Sequence, residues 1–208
     1  MQLHGPLNCW RLLPQRIALH EPSGTAVIAD VHLGYNAVRQ RLGDAIPSRG
    51  VWEELQPLAQ AARTHAIARL VVAGDLFERG ADGGIARDFL ACLAEWRIEL
   101  LAVTPGNHDR GIEGIAVLPI FADGFDLAGW HVAHGDKPVS SPQSVIGHWH
   151  PAVRLKRAKA PCFLVSERRI VLPAFSLDAA GVDVQKDIRW QGWRRLAIDG
   201  EQVLEVPG

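Results

Sequence analysis

Asp30 and His32, Asp75, the run Asn107, His108 and Asp109, His134, and the pair His148 and His150 are the residues whose types and spacing could do chemistry. Carboxylate, imidazole and amide groups without thiolate form the donor set of borderline divalent ions. They suit Mn²⁺, Fe²⁺ or Zn²⁺ better than copper(I) or a structural zinc, and Mn²⁺ is the metal expected first. The i, i+2 spacing of Asp30 and His32 puts both side chains on one side of an extended chain, where they can share an ion. His148 and His150 repeat that spacing around Trp149, so the two imidazoles should face one way and the indole the other. Five of the nine histidines, His32, His108, His134, His148 and His150, lie in these fragments, which argues against a chance scatter of ordinary core or turn residues.

The elements that must position these residues are legible in the same string. Short apolar runs at 25–29, 69–73, 100–104, 127–133 and 144–146, bounded by Gly, Pro, Asp or Asn, have the pattern of buried strands. Each candidate donor or donor pair follows one of these runs. Runs at 162–165, 170–172, 196–198 and 203–206 read as further strands, with a hairpin turn over 166–169. Apolar residues at helical spacing predict helices over 51–68 (Val51, Leu55, Leu58, Ala62, Ile67) and 85–96 (Ile85, Phe89, Leu93, Trp96). Strand and helix alternate in the first half, whereas the second half is mostly strand, so an α/β sandwich with a mixed sheet fits both. Donors at the carboxyl ends of successive strands sit where open α/β sheets place their sites. Gly74, Gly106, Gly135 and Gly147 each adjoin a donor, where a missing side chain permits tight turns and close backbone approach.

Composition sets the bounds. With 208 residues, 48% hydrophobic and 22% charged, the chain is expected to fold as one packed domain over 1–208. A net charge of −1 excludes a global basic field, so a polyanion partner must be met by a local patch. The dense basic stretch is Arg154, Lys156, Arg157 and Lys159, followed by Arg168 and Arg169; it reads either as a rim gripping a polyanion or as a solvated face. Arg110 and Lys137 stand beside donor motifs and, with Arg154, are the candidates to meet substrate phosphate. Arg11, Pro14, Gln15 and Arg16 interrupt any leader-like run, and no membrane span is visible, so a cytoplasmic protein is expected. Cys9, Cys92 and Cys162 are widely separated and read as reduced core residues, and the seven tryptophans as core and rim packing.

In their order, Asp-x-His, Gly-Asp, Gly-Asn-His-Asp, His and Gly-His-x-His resemble the five motifs of the calcineurin-like metallophosphoesterase superfamily, from Asp30 to His150. That resemblance implies a four-layer α-β-β-α sandwich with mixed sheets and two divalent ions. Asp30, His32 and His150 would hold one ion, Asn107, His134 and His148 the other, and Asp75 would bridge them. Segments 29–34, 46–47, 147–153, 161–163 and 172–175 are similar to the ICC-like phosphoesterases, which include the ligase-associated DNA-damage-response endonucleases of the PdeM type, distant relatives of the SbcD nuclease. The resemblance implies a DNA nuclease or phosphodiesterase linked to repair. Where that family usually has Lys after Leu33 and Gly34, this chain has Tyr35.

Two divalent ions roughly 3.5–4 Å apart can bind a phosphodiester, acidify a bridging water and stabilise both attacking and leaving oxygens. The expected nucleophile is that hydroxide, with no covalent enzyme intermediate. His108 is expected to protonate the leaving oxygen, with Asp109 fixing its tautomer; in the competing reading His108 only orients a ligand. A rival activity is pyrophosphate hydrolysis as in the UDP-diacylglucosamine hydrolases, which share the Gly-Asp-Leu-Phe-Glu segment. Those enzymes typically carry Arg where this chain has His108, and they need an apolar lid that this sequence does not offer. A non-catalytic scaffold, such as the retromer subunit of similar fold, has lost ligands, whereas His32, Asn107, His108 and His150 are all present here.

Overall fold

The computed structural model describes residues 1–155 and 158–207. The chain opens with a hairpin of β1 (Trp10–Leu13) and β2 (Ile17–His20), followed by β3 (Thr25–Ile28), α1 (Tyr35–Arg41), α2 (Val51–Glu54) and α3 (Gln56–Thr64). Next come β4 (Arg69–Ala73), α4 (Gly83–Glu95) and β5 (Glu99–Thr104). These strands form one sheet in the order β1-β2-β3-β4-β5, antiparallel from β1 to β3 and parallel from β3 to β5. Parallel neighbours need long crossovers, and the helices supply them.

Both faces of this sheet are covered, which is why its strands read as nearly unbroken apolar runs. Ile28, Leu70 and Val72 pack beneath Leu55, Leu58, Phe89 and Leu93 of the helices. Trp10, Val27, Val71 and Ala102 face the other way, against the second sheet.

The second sheet comprises β6 (Phe125–Leu127), β7 (Trp130–Ala133), β8 (Ser144–Ile146), β9 (Pro151–Leu155), β10 (Ala158–Val165), β11 (Arg169–Val171), β12 (Val182–Asp183), β13 (Arg194–Asp199) and β14 (Gln202–Val206). Its main path runs β12-β9-β10-β11-β8-β7-β6, with β13 and β14 branching from β10. Parallel and antiparallel pairs both occur along it, so both sheets are mixed, as expected. Val132, Val145, Phe163, Ile170 and Leu196 fill the space between the sheets. On the outer face, Val153, Cys162 and Leu164 are covered by Val184 and Trp190, from a loop with a 3-10 turn at Ile188–Trp190. This outer layer is thinner than the helical one.

Several boundaries differ from the sequence expectation, each for a local reason. The helix expected over 51–68 breaks at Leu55, because Pro57 in the first turn of α3 lacks the N–H a continuous helix would need, and the chain turns extended at His65. The strand expected over 127–133 is a hairpin. Ala128 (φ 53°) and Gly129 (φ 85°) both take the left-handed conformation of a tight two-residue turn. Helix α4 begins two residues earlier than its apolar spacing indicates, because Asp82 caps it by accepting the N–H groups of Gly84 and Ile85 at 2.7 and 3.0 Å. The cysteines are unbonded, with Cys92 and Cys162 buried and Cys9 half-buried. Among the described residues, no helix is long and apolar enough to cross a membrane.

Candidate metal centre

The loops after β3, β4, β5, β7 and β8 converge at one end of the sandwich, carrying Asp30 and His32, Asp75, Asn107 to Asp109, His134, and His148 to His150. Their backbone is not the extended chain that the i, i+2 spacing implied. Asp30 (φ 55°), His32 (52°), Asp75 (49°), His148 (69°) and His150 (44°) all lie in the left-handed region. Such positions cost on the order of 1 kcal/mol each, less for Asp and His than for branched residues, and they concentrate at functional sites. The reversed backbone brings Asp30 and His32 into one donor group and sets the His150 ring against His32 and the His148 ring against His134, while Trp149 packs edge-on against Trp190 of the outer layer, centroids 5.6 Å apart.

Two glycines make this convergence sterically feasible. A Cβ on Gly106 would stand 2.1 Å from Asp75 Oδ1, and one on Gly147 would stand 2.7 Å from Asp30 Oδ2 and 2.4 Å from the Ala29 Cβ. Any side chain at either position would displace a donor.

Asp30, His32 and His150 form one group whose donor atoms all lie within 4.8 Å of one another. Asp30 is fully buried, accepts the His148 N–H at 2.9 and 3.1 Å, and lies 3.3 Å from His150 Nε2. His134 gathers the second group. Its Nδ1–H points at the Ala73 carbonyl at 3.4 Å, leaving Nε2 to face His148 Nδ1 (3.1 Å), Asn107 Oδ1 (3.2 Å) and Asp75 Oδ2 (3.4 Å). Asp75 also groups with His32 and His108, so its carboxylate lies between the two sets.

His108 stands at the edge of the centre, its ring 4.9 Å from that of His32. Its Nδ1–H donates to the Glu78 carbonyl at 2.7 Å, and its backbone N–H to Asp75 Oδ1 at 2.8 Å. Asp109 does not orient His108, contrary to expectation. It is buried and accepts the N–H groups of Phe77 and Gly106, both at 2.9 Å, tying the β4 loop to the β5 loop. Burial raises the Asp109 carboxyl above its ordinary range despite those two donors, with Asp75 adding to the effect. Glu78, which the sequence reading passed over as a site residue, supplies the carbonyl for His108 and places Oε2 3.0 Å from His32 Nδ1.

The donor set fits divalent ions. His32 is buried, yet neither ring nitrogen has a well-aligned hydrogen bond. Asp30 and Asp75 are buried carboxylates, which require compensating positive charge. Separations of 3.1–3.4 Å among the donors around His134 match the roughly 3.0–3.4 Å expected between neighbouring ligands whose bonds to one ion are about 2.1 Å. Burial, then the proximity of His134, lowers the His148 pKa and favours the neutral imidazole that a ligand must be. At His150 burial acts in the same sense but is outweighed by the Asp30 contact and the charges of Asp75 and Glu78, so its pKa rises.

The three expected phosphate contacts fare differently. Arg110 lines a cleft beside Asn107 and His108. Lys137 is exposed in the loop beyond His134 and does not line that cleft. Arg154 is exposed on β9, directly opposite Lys159 of β10. Lys156 and Arg157 fall outside the described residues. The basic stretch is not one patch: Arg168 and Arg169 lie beyond the far end of β10, whose eight residues separate them from the β9–β10 connection by roughly 23 Å at 3.3 Å per residue. Instead, Arg39 and Arg79 join Arg110 at the cleft. No single stretch of sequence carries that grouping.

With this architecture and donor arrangement in view, sequence comparison is decisive about class. A sequence model of the calcineurin-like phosphoesterases matches residues 25–163, and the chain belongs to that family. It is accordingly a metal-dependent phosphoesterase, a hydrolase. Among solved structures, the nuclease MPE of Pseudomonas putida shares the fold, with a TM-score of 0.70 and 22% identity over 95% of this chain and 94% of that one. No curated protein sequence matches the chain.

Proposed function

We propose that this chain hydrolyses phosphodiester bonds in DNA, with a role in repair, and that it works with two Mn²⁺ ions. The carrying observation is the convergence of donors from five loops into two groups with Asp75 between them. Asp30, His32 and His150 would hold one ion, Asn107, His134 and His148 the other, and Asp75 both. When bound, the ions supply an acidified water as nucleophile and positive charge at the phosphate. Asp30, whose carboxylate accepts the His148 N–H, locks the β3 loop to the β8 loop so that these donors keep their places. Because His108 Nδ1–H is engaged by the Glu78 carbonyl, only Nε2 is available to the substrate. In the imidazolium form it donates its proton from that atom to the leaving oxygen.

DNA is favoured over small pyrophosphates because three arginines line the cleft at His108, which suits a polyanion. The fold shared with a bacterial nuclease and the resemblance of the sequence to the PdeM-type endonucleases support the same choice. The test is Mn²⁺-dependent hydrolysis of an aryl phosphodiester alongside single-stranded and duplex DNA, for the wild type and His108→Ala. Turnover of aryl diester and DNA, with His108→Ala impaired on DNA, is the expected result. A metal-loaded wild type that turns over no phosphoester would sink the enzyme reading, and one that cuts aryl diesters but leaves DNA untouched would sink the nuclease reading alone.

A further inference from the structure

The cleft beside His108 has two chemically distinct walls. One is α1 with its C-terminal cap, which presents Tyr35, Val38 and the capping Leu42 at i, i+3 and i+7, along one helical face. Leu42 is 63% exposed and Tyr35 is the chain's only tyrosine; an aromatic and two aliphatic side chains therefore line open space rather than core. The other wall is cationic, built by Arg79 and Arg110 on the loops after β4 and β5. Neither side chain makes a hydrogen bond or ion pair among the described residues, whereas Arg39, on the helical wall, is paired with Asp44. Glu78 is the acidic residue lining the cleft, and its carboxylate is directed to His32.

This wall is preformed. Gly80 N–H donates to the His108 carbonyl at 2.8 Å and Ala81 N–H to the Arg110 carbonyl at 2.9 Å, fastening the two arginine-bearing loops together. The same loops fix His108 through Glu78. The open cleft has a volume of about 540 Å³, ample for a nucleotide-sized group.

An apolar-aromatic wall facing a cationic one, across a cleft of this size, matches the two surfaces of an unpaired strand, whose bases stack while its phosphates take the charge. A duplex hides its base faces and could use only the arginine wall. We propose that this cleft holds a single-stranded polynucleotide segment on the leaving-group side of the scissile bond, bases against Tyr35, Val38 and Leu42, phosphates on Arg79 and Arg110. The assignment to the leaving-group side rests on the phosphodiesterase reading above and on His108 as the proton donor; the cleft itself rests on the two walls.

Fluorescence anisotropy with a labelled oligo(dT), read on the full metal-loaded chain as a function of salt, tests it. Arg79→Ala with Arg110→Ala should weaken binding tenfold or more and flatten the log–log salt slope by about 1.4, two contacts at roughly 0.7 each for single strands. Tyr35→Ala should weaken binding about tenfold with the slope unchanged, because stacking carries no counterion release. Arg79→Lys with Arg110→Lys should restore most of the slope, which a merely structural role would not predict. Thermal melting of each variant identifies any that fails to fold, and for such a variant the lysine pair carries the test: a slope unlike that of the wild type counts against the cleft. An affinity and slope unmoved by the alanine pair, or a blunt duplex of equal length bound as tightly as oligo(dT), would overturn the cleft. If the wild type still hydrolyses an aryl diester in that case, the phosphodiesterase reading survives; no turnover of any phosphodiester would fail that reading on its own terms.

Discussion

The two sides of the donor cluster are built from similar charges put to different uses. Beyond His150 lies a small cavity of about 240 Å³, bordered by Arg16, Lys159, Ala174 and Ala180. There the cations are engaged by main-chain carbonyls: Arg16 donates to Ala174 at 3.0 Å and to Ser176, and Lys159 to Gly181 at 3.1 Å. The loop they hold runs past the centre, giving the Phe175 N–H to the Ala29 carbonyl (2.7 Å) and the Ser176 N–H to the Asp30 carbonyl (3.1 Å). Beyond His108 the order is reversed. Backbone bonds hold the loops, and Arg79 and Arg110 remain without protein partners among the described residues. A cation whose donors are satisfied by the protein supports the fold, and one left unsatisfied at the mouth of a site is available to a ligand.

The largest expected effect comes from Asp75, which belongs to both sides. Asp75→Ala should cost about 4 kcal/mol of transition-state stabilisation, or roughly 10³-fold in kcat/KM, on any phosphodiester, together with lost metal in elemental analysis. His108→Ala strikes one side only. Turnover of DNA should fall about 10²-fold, while an aryl diester with an acidic phenol, which leaves without a proton, should be affected far less. Equal losses on both substrates would remove the proton-donor role.

Stability should separate the two sets of arginines. Arg16→Ala should destabilise the chain by about 2 kcal/mol in urea unfolding, since it abandons carbonyls in a partly buried place. Arg79→Ala should change stability by less than about 0.5 kcal/mol. If the two variants melt alike, the contrast between the sides is wrong.

A smaller effect than that of Arg16 concerns Glu54, which anchors the start of α1 by accepting the Gly34 N–H at 3.3 Å. Burial, with Asp178 and Glu53 nearby, raises its carboxyl to about 7 against the opposing pull of Gly34 and Arg49. The folded protein thus holds this proton more tightly than the unfolded chain, so the contribution is fully present below pH 4.5 and is lost as pH rises through 7. Glu54→Gln should flatten that decline, gaining roughly 1 kcal/mol at pH 8 after allowance for solvent screening.

The donors were legible in the sequence because each is a loop residue whose chemistry is its own, standing after a strand that apolar patterning reveals. What the sequence hid depends on juxtaposition. Glu78 reaches His108 only because the β4 and β5 loops are fastened together, and Arg79 meets Arg110 for the same reason; Glu78 reaches His32 because the His32 N–H, bonded to the Asp75 carbonyl, joins the β3 loop to the β4 loop. The left-handed backbone at Asp30, His32, Asp75, His148 and His150 cannot be read from spacing, and it replaces the extended geometry that spacing implied. The β1–β2 hairpin escaped notice because a sheet covered on both faces shows no alternation, and the basic stretch misled because a strand carries its ends far apart.

The central claim is that two ions, held in common by Asp75, make this centre active. Protein stripped with a chelator and titrated with Mn²⁺ should show no aryl-diester turnover at the start, with turnover rising as the second ion per chain fills. Full turnover in the stripped protein, or with a single ion bound, would contradict the account.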